Sequence, residues 1–126
     1  MNSGTLLHRQ VNPSWVQQGR ITSQVFKPTP KDSYRLSVYD GDQVTAHQAW
    51  LHYTTELGFA SIGVVAVTVG ECEALALRPE PDPEPFPAHA VIRFDGCTSG
   101  QIEKKAKRLK AVADARGWLY REEVGA

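Results

Sequence analysis

The sequence predicts a small α+β domain. Strand-like and helix-like stretches interleave over 126 residues, three Thr-x-x-Gln/Glu signatures announce helix starts, and an apolar share of 41% is enough for one core. The order of elements reads β-β-β-α-β-α-β-α, with no internal repeat and no linker long enough to divide residues 1–126. The economical architecture is a single domain built on a mixed sheet of about five strands with helices packed on it.

The opening third reads as β. Leu6 to Val11 alternates loosely, and Asn12-Pro13 closes it because the residue before proline avoids helical dihedrals. A second strand is expected over Arg20 to Lys27, with Ile21, Ser23 and Val25 on one face. Pro28 and Pro30, which cannot donate to a ladder, stop it. Tyr34 to Tyr39 places Tyr34, Leu36 and Val38 opposite Arg35, Ser37 and Tyr39, and Asp40-Gly41-Asp42 turns the chain.

Thr45 with Gln48 fits a capping box, and Gly58 suits the left-handed stop, so a helix is expected over about residues 46–57. Ala46, Ala49, Trp50, Tyr53 and Leu57 form its buried stripe; Gln48, His52, Thr55 and Glu56 look outward. Ser61 to Val67 is short, β-branched and apolar, as a strand covered on both faces is, and is the candidate for the middle of the sheet. Thr68 and Glu71 repeat the cap and introduce a short helix through Leu77.

Pro79 to Pro87 reads PEPDPEPFP and is expected as a rigid, polyproline-like loop with an acidic rim of Glu80, Asp82 and Glu84. A strand follows over His89 to Phe94. Thr98 with Gln101 then caps a last helix that runs to Arg116 and stops at Gly117, leaving Trp118-Leu119-Tyr120 as an aromatic tail able to dock back.

Fourteen basic side chains balance fourteen acidic ones, so no overall field draws the chain to nucleic acid or an anionic membrane. Met1 to Gln10 lacks the apolar run of a signal peptide, and Ile62 to Val69 is far short of a membrane span, so a cytoplasmic protein without a membrane anchor is expected. Cys72 and Cys97 are too few for a disulfide scaffold and read as reduced thiols.

The chemistry-bearing patterns are local. The last helix carries Lys104, Lys105, Lys107, Arg108, Lys110 and Arg116 against Glu103 and Asp114, around a narrow stripe of Ile102, Ala106, Leu109 and Ala113. Its basic face, Lys104, Lys107, Arg108 and Lys110, is either solvated, covered by the acidic rim, or a surface for nucleic acid. The rim itself, Glu80, Asp82 and Glu84, could meet a partner, because stiffness lowers the entropy lost on binding. Arg9, Trp15 and Arg20 have the residue types of interface anchors, although Trp15 could equally plug one end of the core.

His47 and His52 stand about 140° apart on a helix and do not share a face. Whether His8 meets His89 depends on tertiary structure, and no metal or cofactor is expected. Ser23, Ser37, Ser61 and Ser99 are available nucleophiles, but none lies in a GxSxG elbow. Gly96-Cys97-Thr98-Ser99-Gly100 before a helix reads as a cap or an anion cradle. Arg9 and Ser37 look like two positions of the Arg-Ser-Glu arrangement of NAD-dependent ADP-ribosyltransferases. The third is missing, since Glu56, Glu71, Glu73 and Glu103 all fall on predicted helices, and the chain is not assigned to that family.

With no catalytic set assigned, the expectation is a non-enzymatic protein-interaction module in a bacterial cytoplasm, such as an immunity protein, antitoxin or accessory subunit, whose partner is another protein. The alternatives are nucleic-acid binding through the basic helix, and a small enzyme whose site assembles across strands.

Overall fold

In the computed structural model, which describes residues 1–122, the first strand is β1 (Leu6–Gln10). A small ribbon of β2 (Val16–Gln17) and β3 (Arg20–Ile21) follows it. The other strands are β4 (Arg35–Asp40), β5 (Gly63–Thr68), β6 (Arg78–Pro81), β7 (His89–Arg93) and β8 (Tyr120–Arg121). The helices are α1 (Ala46–Leu51), α2 (Val69–Glu73) and α3 (Ser99–Arg116). The main sheet has the order β6-β7-β4-β1-β5-β8, and each of its pairings is antiparallel. The α+β class is therefore as the sequence predicts, with six strands in place of about five and an antiparallel sheet in place of a mixed one.

The extra strands come from segments whose pairing is not written in local pattern. The first three residues of the proline-rich stretch, Pro79 to Pro81, belong to the edge strand β6. Its prolines tolerate this because Pro79 and Pro81 share the parity that points away from β7, while the Asp82 amide, of the opposite parity, donates to the His89 carbonyl at 3.0 Å. The aromatic tail does dock back: Tyr120 and Arg121 pair with Val64 and Gly63, and Tyr120 stacks on His47 with centroids 4.5 Å apart.

All three capping boxes form. The Thr45, Thr68 and Thr98 hydroxyls accept from the amides of Gln48, Glu71 and Gln101, whose side chains accept from the threonine amides in return. The segment before α3 is thus a satisfied cap. α2 is shorter than expected, because Ala76 takes a left-handed φ of 58° and folds Leu77 back so that its amide reaches the Cys72 carbonyl.

Arg20 to Lys27 departs from its expected strand. After Ile21 the chain enters a 3₁₀ turn, Ser23–Phe26, which buries both Val25 and Phe26. Two consecutive core residues cannot lie on one face of a strand. α1 departs too. At His52 it widens into a π-helical turn, His52–Glu56, closed by the Leu57 amide on the His52 carbonyl at 3.0 Å. The extra residue in that turn rotates the register. Leu57, expected in the core, is 40% exposed, and His52, expected outward, bonds the Tyr39 hydroxyl through Nδ1 at 2.7 Å.

The larger core lies between the sheet and α3, from Leu7, Leu36, Val65 and Ile92 to Ile102, Ala106, Leu109 and Ala113. A smaller one lies under α1, around Tyr39, Ala49 and Ala88. β5 is covered on both faces, with Val64 and Val65 both buried. It lies fifth in the order, however, and the middle of the sheet is β4 and β1. No helix among the described residues is long and apolar enough to cross a membrane.

Candidate functional site

The sheet opens at its centre. β1 and β4 pair only at Leu7↔Asp40 and His8↔Tyr39, while β4 stays with β7 from Arg35 to Tyr39 and β1 stays with β5 along its whole length. Past His8 and Tyr39 the sheet therefore divides into two three-stranded halves. Arg9 bridges the parting to the 3₁₀ turn: Nη1 donates to the Ser37 carbonyl of β4 at 2.9 Å and Nε to the Val25 carbonyl at 2.7 Å. Its guanidinium lies 5.1 Å over the Trp15 ring. No carboxylate forms an ion pair with Arg9 among the described residues, and burial pulls its pKa down to about 10 against the opposing charge of Asp32.

A cleft of about 170 Å³ opens at this parting, lined by Arg9, Ser37, Tyr53, Phe59, Phe86 and His89 among others. Tyr53 reaches it from the π-helical turn and packs on Phe59 with centroids 5.2 Å apart. Phe86, in the loop after β6, packs on Tyr39 at 5.0 Å and edge-on to His89 at 5.1 Å. Burial holds the Tyr39 phenol well above its usual range, so it stays protonated.

β4 and β7 position the polar side chains on the cleft floor. Ser37 is registered opposite Val91 and Tyr39 opposite His89, which makes Ser37 and His89 diagonal neighbours on one face. His89 Nε2 lies 3.2 Å from the Ser37 hydroxyl. On its other side, Nδ1 lies 2.9 Å from the Asp82 carbonyl and 3.4 Å from the Asp82 carboxylate. Both groups facing Nδ1 are acceptors, so that nitrogen carries the proton and Nε2 is left to accept from Ser37. His8 is registered opposite Tyr39 from the other side, so His8 and His89 share a face but are held apart by β4.

The residues singled out from the sequence separate into three places. Arg9 lines the cleft, and Trp15, beneath its guanidinium, packs against the larger core. Arg20 leaves for α3, where it bonds Asp114 at 2.8 Å. The acidic rim does not lie across the basic helix: Glu80 pairs with Arg93 at 3.1 Å on the neighbouring strand and Asp82 holds His89, while Glu84 is exposed. The carboxylates of α3 are taken instead by Lys27 on Glu103 and by Arg20 on Asp114, which also lies 3.9 Å from Lys110. Lys104, Lys107 and Arg108 remain exposed, with no ion pair among the described residues.

Tyr53, Phe59, Phe86 and His89 were not legible as site residues. Alternation in the sequence puts Ser37 and His89 on strand faces, but only the β4–β7 register brings them together. Of the two residues that look like the Arg-Ser-Glu arrangement, Arg9 and Ser37 do meet, and the third polar group beside them is His89, not a glutamate. The chain matches no family model, no curated protein and no solved structure.

Proposed function

We propose that this protein is a small enzyme or binding protein for an organic anion with an apolar or aromatic body, held in the cleft where β1 and β4 part. The observation that carries this reading is Arg9, a half-buried cation at the cleft that forms no ion pair with a carboxylate among the described residues. A guanidinium has five N–H donors; Nε and Nη1 each give one to a carbonyl, and the other three meet no acceptor among the described residues. An arriving carboxylate or phosphate would offset the cost of burying the charge, and fork geometry suits either group. Tyr53, Phe59 and Phe86 supply an apolar wall for the remainder of the molecule.

Thermal-shift and calorimetric titration with aryl carboxylates, aryl phosphates and mononucleotides, each beside its uncharged amide or ester, tests the reading. Anions are expected to raise the melting temperature and their neutral counterparts to leave it unchanged; at 100 times Kd the gain is about 2.7 kcal/mol. Phe59 is 56% exposed, so Phe59→Ala should weaken binding while the unliganded stability stays level. If no anion in the panel shifts melting, or the neutral compounds bind equally, the reading fails.

One observation favours a second reading, the protein-interaction module. Leu57 and Phe59 at the mouth of the cleft and Leu51 in α1 are 40%, 56% and 42% exposed, as apolar side chains at a protein interface are. In that case Leu57→Glu with Phe59→Glu should abolish recovery of a defined protein partner after nuclease treatment, and unchanged recovery would remove this reading.

A further inference from the structure

We infer that Ser37 is a nucleophile that accepts an acyl group from an ester substrate, with His89 as its general base. The inference deepens the cleft reading, because it names the reaction of the same site. Three features of the geometry carry it. The Ser37 hydroxyl is on the exposed side of β4, at the cleft, and 3.2 Å from His89 Nε2. His89 is buried and fixed in one tautomer by the two Asp82 acceptors, so the nitrogen facing Ser37 bears the lone pair. Arg9 is a fixed positive charge in the same cleft, anchored 2.9 Å from the Ser37 carbonyl, where negative charge on an attacked carbonyl oxygen would find it.

These are the parts that acyl transfer requires: a hydroxyl, a base within hydrogen-bond reach of it, a group orienting the base, and a cation for the oxyanion. The hydroxyl in isolation is a poor nucleophile, and the base makes the difference. In the first step the Ser37 Oγ–carbon bond forms and the ester C–O bond breaks. The Ser37 proton passes to His89 Nε2 and from there to the departing alkoxide, which leaves as an alcohol. In the second step water attacks the acyl carbon and gives a proton to His89. That proton returns to Ser37 Oγ as the acyl bond breaks, and a carboxylic acid is released. His89 ends each step neutral, so no external oxidant, reductant or cofactor is involved. Asp82 touches neither substrate nor hydroxyl; it is a positioning residue.

The arrangement differs from a cross-strand pair that merely satisfies two polar groups. A serine on a strand face has water available, and a buried histidine whose Nδ1 is already bonded does not need a serine on Nε2 for stability beyond about one hydrogen bond. The structure holds both at an open cleft beside Arg9, which forms no ion pair among the described residues.

The test is covalent labelling of the intact chain with an aryl fluorophosphonate, an uncharged probe that does not depend on anion binding by Arg9. Ser37 Oγ bonds to phosphorus, the P–F bond breaks, and the serine proton departs with fluoride, leaving a mass adduct that peptide mapping locates. General-base assistance amounts to about 10²–10⁴-fold, so the folded protein should label at Ser37 at least about 10²-fold faster than the same chain in concentrated urea. Ser37→Ala, at an exposed position that folding does not need, should abolish the adduct, while the exposed Ser99 stays unmodified. His89→Gln should slow labelling by the same factor, with circular dichroism to confirm its fold. Should it not fold, the urea comparison and the mapped position decide alone. No adduct, an adduct on another serine, or equal labelling in urea overturns the inference. Labelling without any anion binding would instead leave Ser37 standing and remove the anionic substrate. Anion binding without labelling does the reverse.

Discussion

Replacing Gly63 by alanine puts the packing of the sheet's far edge to the test. A Cβ at this position would sit 2.5 Å from the Tyr120 carbonyl oxygen and 2.9 and 3.0 Å from two atoms of the Trp118 ring. None of these is the far end of a flexible side chain, so either the local packing shifts or β8 leaves the sheet. Shifting a well-packed contact costs about 1–3 kcal/mol. Releasing β8 gives up the bonds from the Leu119 amide to the Val64 carbonyl and from the Glu122 amide to the Ile62 carbonyl, at about 0.5–1.5 kcal/mol each. It also separates Tyr120 from His47 and Trp50, worth roughly another 0.5–1.5 kcal/mol. The cheaper route sets the outcome, and Gly63→Ala is expected to lose about 1–3 kcal/mol in urea unfolding, or roughly 4–12 °C in melting temperature. Gly100→Ala serves as the control. That position has open space around it and lies inside α3, so alanine there should be neutral or stabilise by up to about 1 kcal/mol. Hydrogen exchange of the Leu119 amide separates the two routes: it speeds up only if β8 detaches. A loss below about 0.5 kcal/mol with Leu119 still protected would refute the steric reasoning.

Thr98→Ala removes the hydroxyl that caps α3 and should cost about 0.5–2 kcal/mol in chemical unfolding, with no change in the cleft. Cys72 is buried, and its thiol is pushed up to about 12, whereas Cys97 is partly exposed, so a disulfide-exchange reagent at pH 8 should modify one thiol per folded chain and both only after unfolding. Glu71 is held below the usual carboxylate range: burial acts against this, but hydrogen bonds from Arg116 and from the Thr68 cap outweigh it. A depressed carboxylate stabilises the fold above its unfolded value of about pH 4.3, and the contribution is lost as pH falls through the lower folded value. Glu71→Gln, which keeps the cap acceptor, should therefore be less stable than the parent at pH 7 and converge with it in acid; a constant difference across pH would exclude the linkage.

Local pattern was a good guide wherever the deciding interactions lie within a few residues. Each Thr-x-x-Gln/Glu box closes a reciprocal pair of bonds three residues apart, so its geometry needs nothing from the rest of the chain. The buried stripe of α3 likewise follows from helical period alone. Where a local rule competes with burial, it was overridden. Val25 and Phe26 entered the core by leaving the strand they were expected to form, and the π-helical turn at His52 exposed Leu57 while turning His52 to Tyr39.

The candidate site lay further from view. Arg9 and Ser37 stood out as residue types, but Arg9 owes its significance to the parting of β1 from β4, which depends on register between strands 28 residues apart in bonded contact. In the sequence His89 stands out only at the start of a strand and as a residue that His8 could meet. Its bonds reach Ser37 across 52 residues and Asp82 across a chain reversal.

From the amino-acid sequence alone followed the α+β class, the three helix starts, and the charged and proline-rich segments, because period, capping and composition act over single turns. Strand order, the split in the sheet, and the meeting of Arg9, Ser37, Asp82 and His89 were decided by tertiary structure. Pairing between distant strands is selected by how their faces bury together, and a single stretch of sequence carries no record of its partner.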